Sequence, residues 1–204
     1  MSVFCSNSLE RFIPSLLDAR KGMKSFLIGL GTMTASLTLG SMVAFSGTVW
    51  SPELPLQLGL LKLLHDIYSF LLTPLSSALG APSLGSGLNL GVWPLLIWII
   101  SSLFIGFLTG EPVRAAKIVF TSASIIFCFW IFSNFMLYSL WSNSITWLSE
   151  IDLVMSDLFL YRSLDIIFFL SVPTIISATS AYLILNIVSS KNKEAKVEEE
   201  YPAW

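Results

Sequence analysis

Residues 26–50 read FLIGLGTMTASLTLGSMVAFSGTVW, twenty-five positions without a single Asp, Glu, Lys or Arg. About 20 helical residues cross the ~30 Å hydrocarbon core of a bilayer, and soluble core helices seldom run that long without charge. Three further stretches meet the same test: residues 88–110, 118–141 and 166–188. The chain is 54% hydrophobic and 12% charged, with a mean hydropathy of +0.78; an ordinary soluble domain is roughly 25% charged. A soluble fold therefore lacks the polar residues to cover it. The runs are continuous rather than alternating, which selects helices over a transmembrane barrel. The expected class is an all-α membrane protein: a four-transmembrane-helix bundle with amphipathic or part-inserted helices in its two outer connections.

The basic residues give the orientation. Arg11, Arg20, Lys21 and Lys24 precede the first stretch, Arg114 and Lys117 lie between the second and third, and Lys191, Lys193 and Lys196 follow the fourth. Nine of the 11 basic residues thus fall on one side. The other side carries Lys62 and Arg162 among Glu53, Asp66, Glu150, Asp152, Asp157 and Asp165. The positive-inside rule then predicts a multi-pass protein of the cell membrane with both termini cytoplasmic. Trp50, Trp93, Tyr138 and Trp141 sit where an outer interfacial belt belongs.

Two more apolar segments fail the same criteria. Residues 54–73 carry Lys62, His65 and Asp66 at their centre, and residues 142–162 carry Glu150, Asp152 and Asp157; such groups at mid-bilayer cost a few kcal/mol or more each. Both are expected to lie on the outer surface or dip part-way in. Pro52, Pro55, Pro74 and Pro82 bracket the first of them.

The organisation follows: a cytoplasmic amphipathic lead-in (1–25), a transmembrane bundle (26–190) and a mobile cytoplasmic tail (191–204). In the lead-in, Leu9, Phe12, Ile13, Leu16 and Leu17 share one helical face, interrupted by Pro14. The apolar run begins late and is too long for a signal peptide, so a retained helix is expected. Mixed charge makes 191–204 too polar to fold alone.

Small residues mark packing faces. Thr32, Ser36, Gly40, Ala44 and Thr48 recur every fourth position in the first span. Ser102, Gly106 and Gly110 do so in the second, and Ser171, Thr174, Ala178 and Ala181 alternate spacings of three and four in the fourth. Such stripes let helices approach closely in lipid. The third span is bulky, with Phe127, Phe129, Trp130, Phe132 and Phe135, and is expected to face lipid or fill outer grooves. Pro173 should kink the fourth span or shape its packing. Asn134 should seek an interhelical hydrogen bond.

The search for chemistry returns mostly exclusions. One histidine, His65, cannot make an HExxH zinc site, and the LGSG at 84–87 lacks the first glycine of a GxSG arrangement. There is no Walker A sequence and no GxGxxG. Cys5 and Cys128 fall in the cytoplasmic segment and at mid-span, so no disulfide framework is expected. The one polar cluster is Glu53, His65 and Asp66, a weak candidate for a pH-sensitive or metal-binding group. No metal, cofactor or nucleic acid is expected. The expected partners are the lipid bilayer and another membrane protein or a second copy. The leading function is a non-catalytic subunit or scaffold of a membrane complex. A transporter or channel component for a neutral or apolar solute comes next, then a membrane enzyme with outward acid-base residues.

Overall fold

The structure, a computed structural model, describes residues 6–45, 55–84, 88–137 and 144–200; for 6–21, 144–145 and 191–200 it describes the backbone alone. Every regular element among the described residues is helical. In order they are α1 (Ser6–Phe45), α2 (Leu56–Leu71), α3 (Pro74–Ala78), α4 (Trp93–Thr109), α5 (Pro112–Met136), α6 (Ser144–Ser156), a π-helical turn (Asp157–Tyr161) and α7 (Ser163–Glu200). Three segments are long and apolar enough to cross a membrane: Gly22–Phe45, Pro112–Met136 and Ser163–Ser190.

Contacts fix the helix directions. Ser36 Oγ lies 2.9 Å from Ser101 Oγ, and Gly40 faces Ile97, so α1 and α4 are antiparallel. Trp98 stacks on Phe169 with ring centroids 6.1 Å apart, and Gly106 lies against Ser177 and Ser180, so α4 and α7 run parallel. Between α4 and α5 there are only Gly110 and Glu111. Gly110 adopts the left-handed φ of 60° and returns its N–H to the Gly106 carbonyl at 3.0 Å, an αL cap that ends the helix. Pro112 then starts α5 at a position where a missing N–H costs nothing. Directions therefore alternate along α1, α4, α5 and α7. We call the end that carries α2, α3 and α6 the upper end.

Several boundaries differ from those read in the sequence. The lead-in and first span form one unbroken helix, with Pro14 inside it. Residues 88–92 are turn and coil, so α4 spans 17 residues from Trp93 and falls short of the usual crossing length. α5 starts six residues before position 118, which brings Arg114 and Lys117 into its first turns. α7 continues to Glu200 through the expected mobile tail; Lys, Glu and Ala, which dominate 191–200, are strong helix formers. Thr48, Trp50 and Glu53 lie outside the described residues.

The third span is the largest revision. α5 packs against α1, α2, α4 and α7 and is central rather than peripheral. Its buried face is Ala115, Ile118, Val119, Ser122, Ala123, Ile126, Trp130 and Ser133, at the spacings of three and four that define one helical side. Ala115, Ser122 and Ala123 are its own small-residue stripe, and Phe132 and Phe135 point outward. The outer faces of α1, α4 and α7 are mostly apolar, as Leu27, Ile28, Ile100, Phe104, Ile167 and Ile175 illustrate.

α2 is held inside the bundle. It runs antiparallel to α5, with His65 beside Ser133 and Ser69 beside Trp130, and Ser69, near its end, lies ~9 Å below the end of α5 at 1.5 Å per residue. Two buried indoles fix it there: Trp98 Nε1 donates to the Leu71 carbonyl at 2.8 Å, and Trp130 Nε1 donates to Ser69 Oγ at 2.6 Å. Leu71, Leu72, Thr73 and Pro74 are buried at the turn, and α3 leads back upward. Asp165, at the start of α7, accepts the N–H groups of Leu75 (2.7 Å) and Ser76 (3.0 Å) and the Ser76 hydroxyl. It thereby caps a helix that has no side-chain cap of its own.

Candidate functional site

A cavity of about 350 Å³ opens beside α2 at the upper end. Its polar lining is Lys62, His65, Asp66, Ser69, Asn134 and Glu150, and its apolar wall is Leu84, Leu137, Ile151 and Val154. The local sequence explains the α2 contribution. Lys62 and Asp66 are one helical turn apart and pair at 2.6 Å, with His65 on the adjoining face. α5 supplies Asn134 and α6 supplies Glu150.

Hydrogen bonds determine the state of His65. Ser133 gives its only hydroxyl hydrogen to the Trp130 carbonyl at 2.7 Å, so it must accept from His65 Nδ1–H, also at 2.7 Å. The lone pair of the neutral ring is then on Nε2. The ring lies parallel to the Trp130 indole, with centroids 6.0 Å apart. Burial disfavours the imidazolium and lowers the His65 pKa from 6.5 to about 4; Asp66 opposes this and Lys62 adds to it.

Because the folded-state pKa is depressed, the unfolded chain binds the proton more readily between pH 6.5 and 4. The contribution of neutral His65 is complete above pH 6.5 and is lost as pH falls toward 4. Its full size is on the order of 3 kcal/mol. Unfolding measured in mild detergent from neutral pH to pH 4 should show this loss, and His65→Gln should flatten it.

The sequence-derived residues are distributed as follows. His65 and Asp66 share the cavity, whereas Glu53 is outside the described residues. On α1, Thr32, Ser36, Gly40 and Ala44 are half-buried, bordering the buried stripe Met33, Leu37, Ser41 and Phe45. Ser102 and Gly106 are buried on α4, and Gly110 acts as a cap rather than as packing surface. On α7 the expected stripe is out of phase: Ser171 is exposed, Thr174 and Ala178 are half-buried, and Ala181 is buried. The side actually turned inward is Asp165, Phe169, Pro173, Ser177 and Ser180, because α7 must pack between α4 and α5 at once. Asn134 bonds within its own helix, donating Nδ2 to the Trp130 carbonyl at 2.8 Å.

Sequence reading did not single out Asn134 or Glu150 as cavity partners of His65, nor Asp165 as a cap. The i,i+4 pair of Lys62 and Asp66 is a local signal; the other partners come from helices far along the chain. A second hollow, of about 360 Å³, lies at the lower end beside Phe26, Glu111, Arg114 and Lys117, with Arg114 paired to Glu111 at 3.0 Å. Among the described residues no group of three His, Cys, Asp or Glu side chains is arranged to hold a metal ion. Comparison with protein-family models, curated proteins and solved structures returned no match.

Proposed function

We propose that the chain is a four-span integral membrane protein with both termini cytoplasmic, serving as a non-catalytic subunit or scaffold of a membrane complex. On this reading α4 crosses with the three longer helices. Its parallel contact with α7, from Trp98–Phe169 to Gly106–Ser180, supports this, since a helix held alongside a spanning one over eight residues shares its path. The ~26 Å length of α4, at 1.5 Å per residue, is a mismatch that local thinning or flanking residues accommodate at modest cost. α2 and α3 form a part-inserted outer hairpin.

The observation that carries the scaffold reading is where the polar groups are spent. Lys62 is paired with Asp66, Arg162 with Asp157, both buried indoles bind α2, and Asp165 caps α3. The two indole bonds and the Asp165 cap hold the outer hairpin against the bundle, and Arg162 Nη1 on the Pro82 carbonyl at 2.6 Å ties down the segment that follows it. Native mass spectrometry after extraction in a mild detergent tests the reading. A stoichiometric membrane-protein partner or a defined homo-oligomer is expected; a lone monomer that carries solute flux in liposomes would contradict it.

The transport reading draws on a different observation. The hydroxyls of Ser41, Thr73, Ser102 and Ser122 are buried without a hydrogen-bond partner among the described residues. Such groups seek water or a polar solute. Flux of a neutral solute that falls when Ser102 and Ser122 are both replaced by Ala would favour this second reading.

A further inference from the structure

The upper cavity has more acceptors than donors. Of its donors, His65 Nδ1–H goes to Ser133, the Ser69 hydroxyl goes to the His65 carbonyl at 2.8 Å, one N–H of Asn134 Nδ2 goes to the Trp130 carbonyl, and one of the three N–H groups of Lys62 goes to Asp66 Oδ2. What remains among the described residues is two N–H groups of Lys62 and one of Asn134, against the acceptors His65 Nε2, Asp66 Oδ1, Asn134 Oδ1 and the carboxylate of Glu150, which is exposed at the rim. The formal charges of Lys62, Asp66 and Glu150 leave one negative charge in excess. An anion would meet two carboxylates and a single, already paired cation.

We propose that this cavity binds a small organic ammonium ion, a primary amine with a short apolar group. The ammonium donates to Glu150, Asp66 Oδ1 and Asn134 Oδ1, and the apolar group lies against Leu84, Leu137 and Val154. A primary ammonium brings three N–H donors to a negatively charged lining whose free acceptors outnumber its free donors, and hydrogen bonds between charged partners are the stronger kind. The cavity's volume falls within the range of small-molecule sites, which combine an apolar wall with a few placed polar groups. Lys62 competes with the ligand, because it occupies one oxygen of Asp66. The inference stands apart from the scaffold reading.

The test is isothermal titration of n-butylammonium into the full-length protein in phosphatidylcholine nanodiscs, with n-butyltrimethylammonium and butyrate as comparisons. Saturable binding at one site per chain is expected. The trimethyl analogue, which keeps the charge and the tail but has no N–H, should bind about tenfold more weakly or worse, as should n-butylammonium to Glu150→Gln. Glu150 is exposed, so this variant should unfold at the same temperature as the parent protein. Lys62→Met should bind n-butylammonium more tightly by freeing Asp66. Absence of saturable binding to the unsubstituted protein would overturn the proposal. So would equal affinity for butyrate, or affinities unchanged by both substitutions.

Discussion

Gly106→Ala should destabilise the protein by about 2–3 kcal/mol, the range for overpacking a close contact. A Cβ at this position would overlap Ser180 Oγ and lie 2.5 Å from the Ser177 carbonyl oxygen. The serine side chain can rotate away, but the carbonyl belongs to the backbone of α7 and cannot yield without moving the helix. Adding Ser180→Gly should therefore recover only part of the loss. Gly31→Ala is the matched control, since nothing lies within 4 Å of its Cβ. There the better helix propensity of alanine should leave stability unchanged or raise it by up to about 1 kcal/mol. Reversible unfolding by SDS titration in mixed micelles, followed by tryptophan fluorescence, measures all three.

Asp165→Ala should cost about 3 kcal/mol or more. Asp165 is 1% exposed and serves three donors on half-buried Leu75 and Ser76, so its removal leaves two backbone N–H groups and the Ser76 hydroxyl without their acceptor; each donor left unpaired away from water costs about 1–3 kcal/mol. Asp165→Asn should cost less, because its amide oxygen can still accept the two N–H groups and its amide nitrogen can donate to the Ser76 hydroxyl. The loss should be local as well as global. Limited proteolysis should cut Asp165→Ala first between α2 and α4, where α3 has lost its anchor, with Asp165→Asn cut more slowly. Equal behaviour of the two variants would mean that the capping bonds are not what holds the hairpin.

These two sites mark the limits of what the sequence reveals. Charge-free length found the three helices long and apolar enough to cross a membrane, and the shorter apolar helix α4, because that property is carried by each segment alone. The stripe on α1 was legible to within one position, since a fourfold repeat of small residues borders the true contact line through Met33, Leu37, Ser41 and Phe45. Burial of α5 was not legible. Its aromatic content suggested lipid exposure or groove filling at the periphery; Phe132 is exposed, whereas Phe127 packs against Phe159 and Phe169, and Phe129 against Tyr68. A ring meets protein or lipid according to which neighbours surround the helix, and this is a property of the whole bundle. Asp165 looked like one more outer acid because its partners are 89 and 90 residues away. Pro74 marked the start of α3 locally, but nothing near it in sequence pointed to the cap. The cavity followed the same rule: Lys62 and Asp66 announced themselves, whereas Asn134 and Glu150 join them only through the packing of α5 and α6.

The central claim is that α4 crosses the bilayer and that the hairpin of α2 and α3 lies on the outer side. Leu79 and Glu111 flank α4 and are both exposed. Single cysteines at these two positions, with Cys5 and Cys128 replaced by Ser, can be labelled in intact cells with a membrane-impermeant maleimide. The account predicts that Leu79→Cys reacts in intact cells and that Glu111→Cys reacts only after the membrane is opened. Labelling of both positions from the same side would contradict it.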